Sequence, residues 1–387
     1  MVFGLARDYK AGENRTIATP REIASIVNAG FRAVVQRGAG ERAGFPDARY
    51  VEAGARMVDT LADVYREADF VVKVKEILEP EYEMLREGQI VMSALHPAGH
   101  PAQTWKLLEK KVTAFAAEDS HRYGAPNSEA AGKQGALYGL ESLLTTNGGK
   151  GKLVCGLAGA PGISAVVIGA GYAGKGAAQI LHALGARVTV LDIDLGRLRE
   201  LDSIYHMSVD TMLCTKEAIA DLLPQTDLVV NCVRWPKERR DFLIDRSMLS
   251  LMEPGSVIVD VADDDPGCIE TSHETSHDNP RYTVDGVVHF CVSNIPSAVA
   301  NTASTAYGSV MLRHFLGILQ NGVAEACVRD GYLRRCLVCH DGILTNEETS
   351  VVHGVPWMPP ERALGIEERK LDLAPPSTAT RSYNFIK

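Results

Sequence analysis

Three glycines, Gly169, Gly171 and Gly174, stand in G-x-G-x-x-G spacing with Tyr172 and Ala173 between the last two, and Asp192 follows 23 residues after Gly169. The first glycine suits a tight turn, the second lets backbone approach a pyrophosphate, and the third lets a helix pack on a strand. A helix opening at that point presents unpaired N–H groups and a positive dipole end to phosphate. Asp192 is placed to accept hydrogen bonds from an adenosine ribose, and its charge disfavours a 2′-phosphate, although Arg197 stands close by. Two other segments carry reactive side chains directly after apolar runs: Lys73-Val74-Lys75-Glu76 and Ser93-Ala94-Leu95-His96-Pro97. In an open parallel sheet the carboxyl ends of strands face the ligand crevice, which puts Lys75 and His96 on one rim.

The elements that must position these groups are legible around them. Ala165 to Ile168 is a β-branched run fit for a strand buried on both faces, Ala177 to Leu184 favours helix, and Val188 to Leu191 is a second strand ending on Asp192. Before this unit, strands are predicted at 33–36, 70–73, 90–93 and 112–115, with helices at 61–66 and 103–109. Thr19-Pro20-Arg21-Glu22 reads as a capping-box start to a helix running to about Gly30. Residues 127–145 read as a connecting helix, with Ser128 as its N-cap. Strands at 228–232, 257–261 and 288–292 then continue the α/β rhythm, with helical stretches at 216–223 and 246–251. From Asn301 a long helix, 305–320, and further helical turns follow, and the last ~20 residues, with Pro375-Pro376-Ser377-Thr378, read as a mobile tail. The predicted fold is α/β with two Rossmann-like domains. A doubly wound parallel NAD-binding sheet, residues 128–295, is inserted into a catalytic domain made of residues 1–127 and 296–387.

The 387 residues give ample core for two domains, and 45% hydrophobic with 23% charged residues is an ordinary globular composition. A net charge of −9 argues against a nucleic-acid partner. No apolar run reaches the ~20 residues of a membrane span, and no signal-peptide order opens the chain. The eight cysteines stand mostly alone among apolar residues, as buried thiols in a reducing cytoplasm do. A cytoplasmic enzyme with a small-molecule substrate is expected.

With these residues in view, the chain resembles the alanine dehydrogenase and transhydrogenase (domain I) family over nearly its whole length. The likeness is carried by Glu13-Asn14-Arg15-Thr16-Ile17-Ala18-Thr19-Pro20, Lys73 to Glu76, Arg86-Glu87-Gly88-Gln89, Leu95-His96, Ser128-Glu129-Ala130-Ala131-Gly132, the Gly169–Asp192 loop, Val259-Asp260-Val261-Ala262-Asp263-Asp264 and Asn294-Ile295-Pro296. The resemblance implies an NAD-dependent amino-acid dehydrogenase interconverting an L-amino acid, alanine first, with its 2-oxo acid. It implies that Arg15 and Lys75 hold the substrate carboxylate and its carbonyl or amine, with Lys75 also catalytic, that His96 and Asp264 handle protons, and that Asn294 and Ser128 touch substrate or nicotinamide. It also implies a homo-oligomer. The chemistry agrees: a carboxylate calls for a cation such as the Arg fork, a developing carbonyl is polarised by a fixed cation such as Lys75, and water attack on an imine calls for a base near neutrality.

Departures bear on the substrate. Ala94 stands where alanine dehydrogenases carry an aromatic, Asn127 replaces their Met, and Cys232 to Arg240 replaces a more neutral segment. His96-Pro97 is similar to N5-(carboxyethyl)ornithine synthase, so an opine-type condensation of a 2-oxo acid with an amino acid's amine is the alternative. A transhydrogenase subunit is the third reading. It expects an Arg-Gln-Asp loop that Glu118-Asp119-Ser120-His121 and Asn127-Ser128-Glu129 do not supply. His273-Glu274-Thr275-Ser276-His277 has H-E-x-x-H spacing, yet its turn-forming flanks predict a loop and no metal site. Cys336-Leu337-Val338-Cys339-His340 has the spacing of a haem attachment, and is read as incidental.

Overall fold

A computed structural model describes residues 1–236, 239–262 and 267–376. The chain forms two compact units, Met1–Ala125 together with the chain from Ala300 onward, and Pro126–Val299.

The first unit opens with β1 (Val2–Leu5), β2 (Arg32–Gln36), β3 (Arg56–Val58), β4 (Phe70–Val72), β5 (Ile90–Ser93) and β6 (Thr113–Ala116). Their order in space is β6-β5-β4-β1-β2-β3, with every pairing parallel. The connections run through α1 (Pro20–Asn28), α2 (Asp47–Glu52), α3 (Leu61–Glu67) and α4 (Pro101–Glu109). The capping box forms as expected: Thr19 caps α1, and Glu22 returns to the Thr19 N–H at 2.9 Å. The strand order reverses between β1 and β4, the place where doubly wound sheets open a crevice at their carboxyl ends.

The second unit repeats that plan. After α5 (Pro126–Ser142) come β7 (Ser164–Ile168), α6 (Tyr172–Ala183), β8 (Arg187–Asp192), α7 (Leu195–Tyr205), β9 (Asp210–Leu213) and α8 (Lys216–Leu222). Then follow β10 (Leu228–Asn231), β11 (Val257–Asp260), β12 (Arg281–Val284) and β13 (Val287–Phe290). The order is β12-β13-β11-β10-β7-β8-β9, parallel except for the β12–β13 hairpin. Its reversal lies between β7 and β10. The stretch 246–251, expected as helix, is a 3₁₀ segment.

The chain then returns to the first unit through α9 (Ala300–Arg329), α10 (Gly331–Arg335), β14 (Leu337–His340) and β15 (Ile343–Leu344). The long helix runs further both ways than expected, with non-helical backbone at Gly322 inside it. Phe315 on α9 packs against Phe3 and Phe70, with ring centroids 5.2 and 5.8 Å away, so the chain's two ends share one core. The Cys336–His340 motif, expected among helical turns, is mostly strand: β14 pairs antiparallel with β6, and both cysteines are buried. The tail expectation is also corrected for residues 372–376. The Asp372 N–H donates to Val328 O at 2.9 Å, and the guanidiniums of Arg334 and Arg335 donate to the carbonyls of Asp372 and Pro375 at 2.8 Å each. No helix among the described residues is long and apolar enough to cross a membrane.

Candidate active site

Two rims carry the chemistry, each at the carboxyl ends of strands flanking a reversal. In the first unit, β1 runs out through Ala6 toward Asp8, and β4 runs out through Lys73 to Lys75. Asp8 is buried, and its carboxylate accepts the Lys75 N–H at 2.7 Å and the Lys10 N–H at 3.0 Å. One buried acid thus ties the two strand exits together. The Lys75 side chain is 8% exposed, and its ammonium has no hydrogen bond or ion pair among the described residues. Burial lowers its pKa; the nearby Glu76 carboxylate pulls it up, while Lys10 and Arg15 push it further down. Such an ammonium attracts an anion strongly, because it is already out of water and makes no direct ion pair among the described residues.

Arg15 is buried and held as a fork: its Nε and Nη2 donate to the two oxygens of Glu13 at 2.8 and 2.7 Å, and its own N–H donates to Glu13 at 2.9 Å. Burial would raise the Glu13 pKa, but the charge and hydrogen bonds of Arg15 outweigh it and hold the carboxyl below its ordinary value. Arg15 is therefore fixed in place before any ligand arrives. Glu76 is likewise kept ionised, against its own burial, by His100, Lys75 and Lys10.

His96 follows β5 and stands 44% exposed, with a positive φ of 43° that few non-glycine residues adopt. Glu118, just after β6, accounts for this. Its Oε1 accepts the His96 N–H at 2.7 Å, its Oε2 accepts the Leu95 N–H at 3.1 Å, and Oε1 lies 3.6 Å from His96 Nδ1. Sequence reasoning passed over Asp8, Glu13 and Glu118 as functional residues. Each is an acid close after an apolar strand or two residues from a predicted site residue, and that was the available signal.

In the second unit, the glycine loop has the geometry its spacing calls for. Gly169 sits at φ +98°, and a Cβ on Gly174 would fall 1.7 Å from Gly169 O. A Cβ on Gly171 would meet nothing within 4 Å, so the protein's own packing does not require glycine there. A ligand's close approach does. Gly171 is also the N-cap of α6 and offers no side chain to its first turn. Tyr172 and Ala173 form that turn, and Tyr172 is exposed. Asp192 ends β8, where its carboxylate accepts the Ala170 N–H at 2.6 Å and the Asp194 N–H at 2.8 Å; Arg197 Nη1 stands 3.6 Å away. The acid braces the glycine loop while retaining acceptor capacity for ribose hydroxyls. These residues fit NAD.

Ser128 lies inside the first turn of α5, which starts at Pro126, so it is not the N-cap. Asn294 is buried ahead of the 3₁₀ turn Ile295–Val299, and its carbonyl accepts the Ser297 N–H at 2.8 Å. Asp264 lies outside the described residues. His273 to His277 forms an irregular loop without the shared helix face of a zinc site, and His277 Nε2 instead lies 3.3 Å from Asn294 O.

The comparisons with known proteins agree with this architecture. The family described as alanine dehydrogenase/PNT, N-terminal domain, matches residues 4–130, and alanine dehydrogenase/PNT, C-terminal domain, matches residues 135–347. The chain is similar to an alanine dehydrogenase of Methanococcus maripaludis, 38% identical over 371 residues that cover 94% of this chain and 100% of that protein. An alanine dehydrogenase of Bacillus subtilis is 37% identical, with 94% and 98% covered. A solved L-alanine dehydrogenase superposes with a TM-score of 0.83 at 32% identity, covering 92% of this chain and 99% of that one.

Proposed function

The chain belongs to the alanine dehydrogenase/PNT family, and from that premise we propose that it interconverts L-alanine and pyruvate with NAD, taking up or releasing ammonia. The observation that carries this reading is the buried Lys75 ammonium, which has no ion-pair partner among the described residues and sits at the β1/β4 reversal near Arg15. The first unit is the substrate domain and the second, with Gly169, Gly171, Tyr172, Ala173, Gly174, Asp192 and Arg197, is the cofactor domain.

Lys75 and Arg15 take the substrate carboxylate and fix C2 in position. NAD, when bound, would supply the hydride acceptor that oxidises substrate C2 to an imine. His96 accepts a proton from the water that attacks that imine and returns it as ammonia departs, so the net change is alanine, NAD⁺ and water to pyruvate, ammonium, NADH and a proton. Glu118 holds His96 by its backbone, so the ring's approach is set in advance. Asp264 is assigned a supporting role in proton handling, and Ser128 and Asn294 contact nicotinamide or substrate. The same reading makes the protein a cytoplasmic homo-oligomer, which light scattering of the purified protein checks.

The test is NADH oxidation with pyruvate and other 2-oxo acids, in the presence of ammonia or of free amino acids. Turnover with pyruvate and ammonia is expected. Turnover that requires an amino acid in place of ammonia would replace this reading by opine formation.

A further inference from the structure

Helix α9 brings a phenol to the same rim. Ser304, Tyr307 and Met311 are spaced three and four apart and so lie on one face of the helix. Both ends of that face are pinned to the loops that carry the site. The Thr16 N–H, next to Arg15, donates to Ser304 Oγ at 2.9 Å. Ser120 Oγ, two residues after Glu118, donates to Met311 Sδ at 3.3 Å. Tyr307 stands between these anchors, so the Arg15 loop lies to one side and the Glu118 loop to the other. The charges of both reach its ring: burial raises the phenol's pKa, Glu118 raises it further, and Arg15 opposes them.

The hydroxyl itself is the unusual feature. Tyr307 is 4% exposed, and its oxygen makes no hydrogen bond among the described residues. A buried phenol normally finds a partner. The other fully buried tyrosines of this unit do: Tyr50 donates to Ala18 O at 3.0 Å and Tyr65 to Glu81 at 2.8 Å. Apolar packing would be served as well by phenylalanine, as it is by Phe315 two turns on. A phenol donor on a buried side chain, within reach of the Arg15 charge, matches what a carboxylate with several lone pairs can still use.

We infer that Tyr307 is a substrate-binding residue, its hydroxyl donating a hydrogen bond to the substrate carboxylate beside Arg15 and Lys75. The assignment rests on the amino-acid dehydrogenase reading above and adds a third donor to it. The bound carboxylate is then gripped by an ammonium, a guanidinium and a phenol. The phenol adds directional selectivity without adding a third positive charge.

Tyr307→Phe removes one oxygen and leaves the ring packed. With full-length protein, KM for pyruvate is expected to rise about ten- to hundredfold, the range for losing one hydrogen bond to a charged group. KM for NADH and kcat at saturating pyruvate stay as in the wild type, a split that a general packing defect would not give. Propionate, a carboxylate without the ketone, should weaken as an inhibitor by the same factor. Wild-type turnover with pyruvate and ammonia is read first, and its absence removes the reading on which the assignment stands. With turnover present, unchanged KM for pyruvate and unchanged propionate inhibition in Tyr307→Phe overturn the assignment of Tyr307 alone.

Discussion

Glu118 and His96 form a clamp: one carboxylate oxygen accepts the histidine's backbone N–H at 2.7 Å and lies 3.6 Å from its ring Nδ1. The carboxylate stabilises a left-handed backbone at His96 that would otherwise cost about 1–2 kcal/mol. It also lies on the Nδ1 side of the ring. The proposed proton carrier and the residue that holds its backbone follow two neighbouring strands, β5 and β6.

Glu118→Ala should therefore lower kcat about ten- to hundredfold while NADH binding is unchanged, because two backbone donors and the ring lose their acceptor. Glu118→Gln keeps one carbonyl oxygen and should recover part of the loss. Steady-state kinetics beside NADH fluorescence titration separate the two effects. Equal loss of NADH affinity would mean that the loop, and not His96, had been disturbed.

If Lys75 binds the substrate carboxylate as proposed, it is expected to set the basic side of the pH profile. Binding a carboxylate needs the ammonium, and burial, with Lys10 and Arg15, places its pKa below the ordinary 10.5. Affinity for pyruvate is thus full below that lowered pKa and falls as pH rises through it, earlier than a solvent-exposed lysine would allow. A plot of kcat/KM for pyruvate against pH should show this limb, and Lys75→Met should abolish it while raising KM about ten- to hundredfold.

Glu13 supports Arg15 before any substrate binds, so Glu13→Ala leaves a buried guanidinium without its fork. A loss of about 3–5 kcal/mol in urea unfolding is expected. The sign of its pH dependence follows from a carboxyl lowered in the folded state from 4.5. Its contribution is complete above the unfolded value and is lost as pH falls through the folded one. Wild type and variant should consequently differ most near neutrality and converge in acid.

Gly132 on α5 faces the first turn of α6, and a Cβ there would lie 1.8 Å from Ala173 O. Gly132→Ala must displace backbone at the phosphate end of α6. A cost of about 1–3 kcal/mol is expected, together with weaker NADH binding in a direct titration. An unchanged dissociation constant would show that the α5–α6 contact does not set the loop.

What could be read beforehand follows the range of the interactions. The glycine loop, the Thr19 capping box and the β4, β5, β7 and β8 strands have local signatures, and they appear where expected. Strand β1 was not anticipated, since Val2-Phe3-Gly4-Leu5 is interrupted by a glycine that is there because a Cβ would stand 2.4 Å from Ala68 Cβ. Strand β9 is exposed at a sheet edge and lacks the apolar run of its neighbours. Strand β14 depends on pairing with β6, more than two hundred residues earlier, and no local pattern encodes that. The same holds for the site. Arg15, Lys75 and His96 stood out by type and position, whereas Asp8, Glu118 and Tyr307 act across loops and helices that only the fold brings together.

The return of the chain from Ala300 onward has a consequence during synthesis. The second unit, Pro126–Val299, holds its own sheet and core and can close as soon as it leaves the ribosome. The first unit cannot, because Phe3 and Phe70 wait for Phe315, and β6 waits for β14. At about 5–20 residues per second, roughly ten to fifty seconds pass with those phenylalanines and the β6 edge uncovered. The nascent amino-terminal half is the segment of this protein most in need of a chaperone.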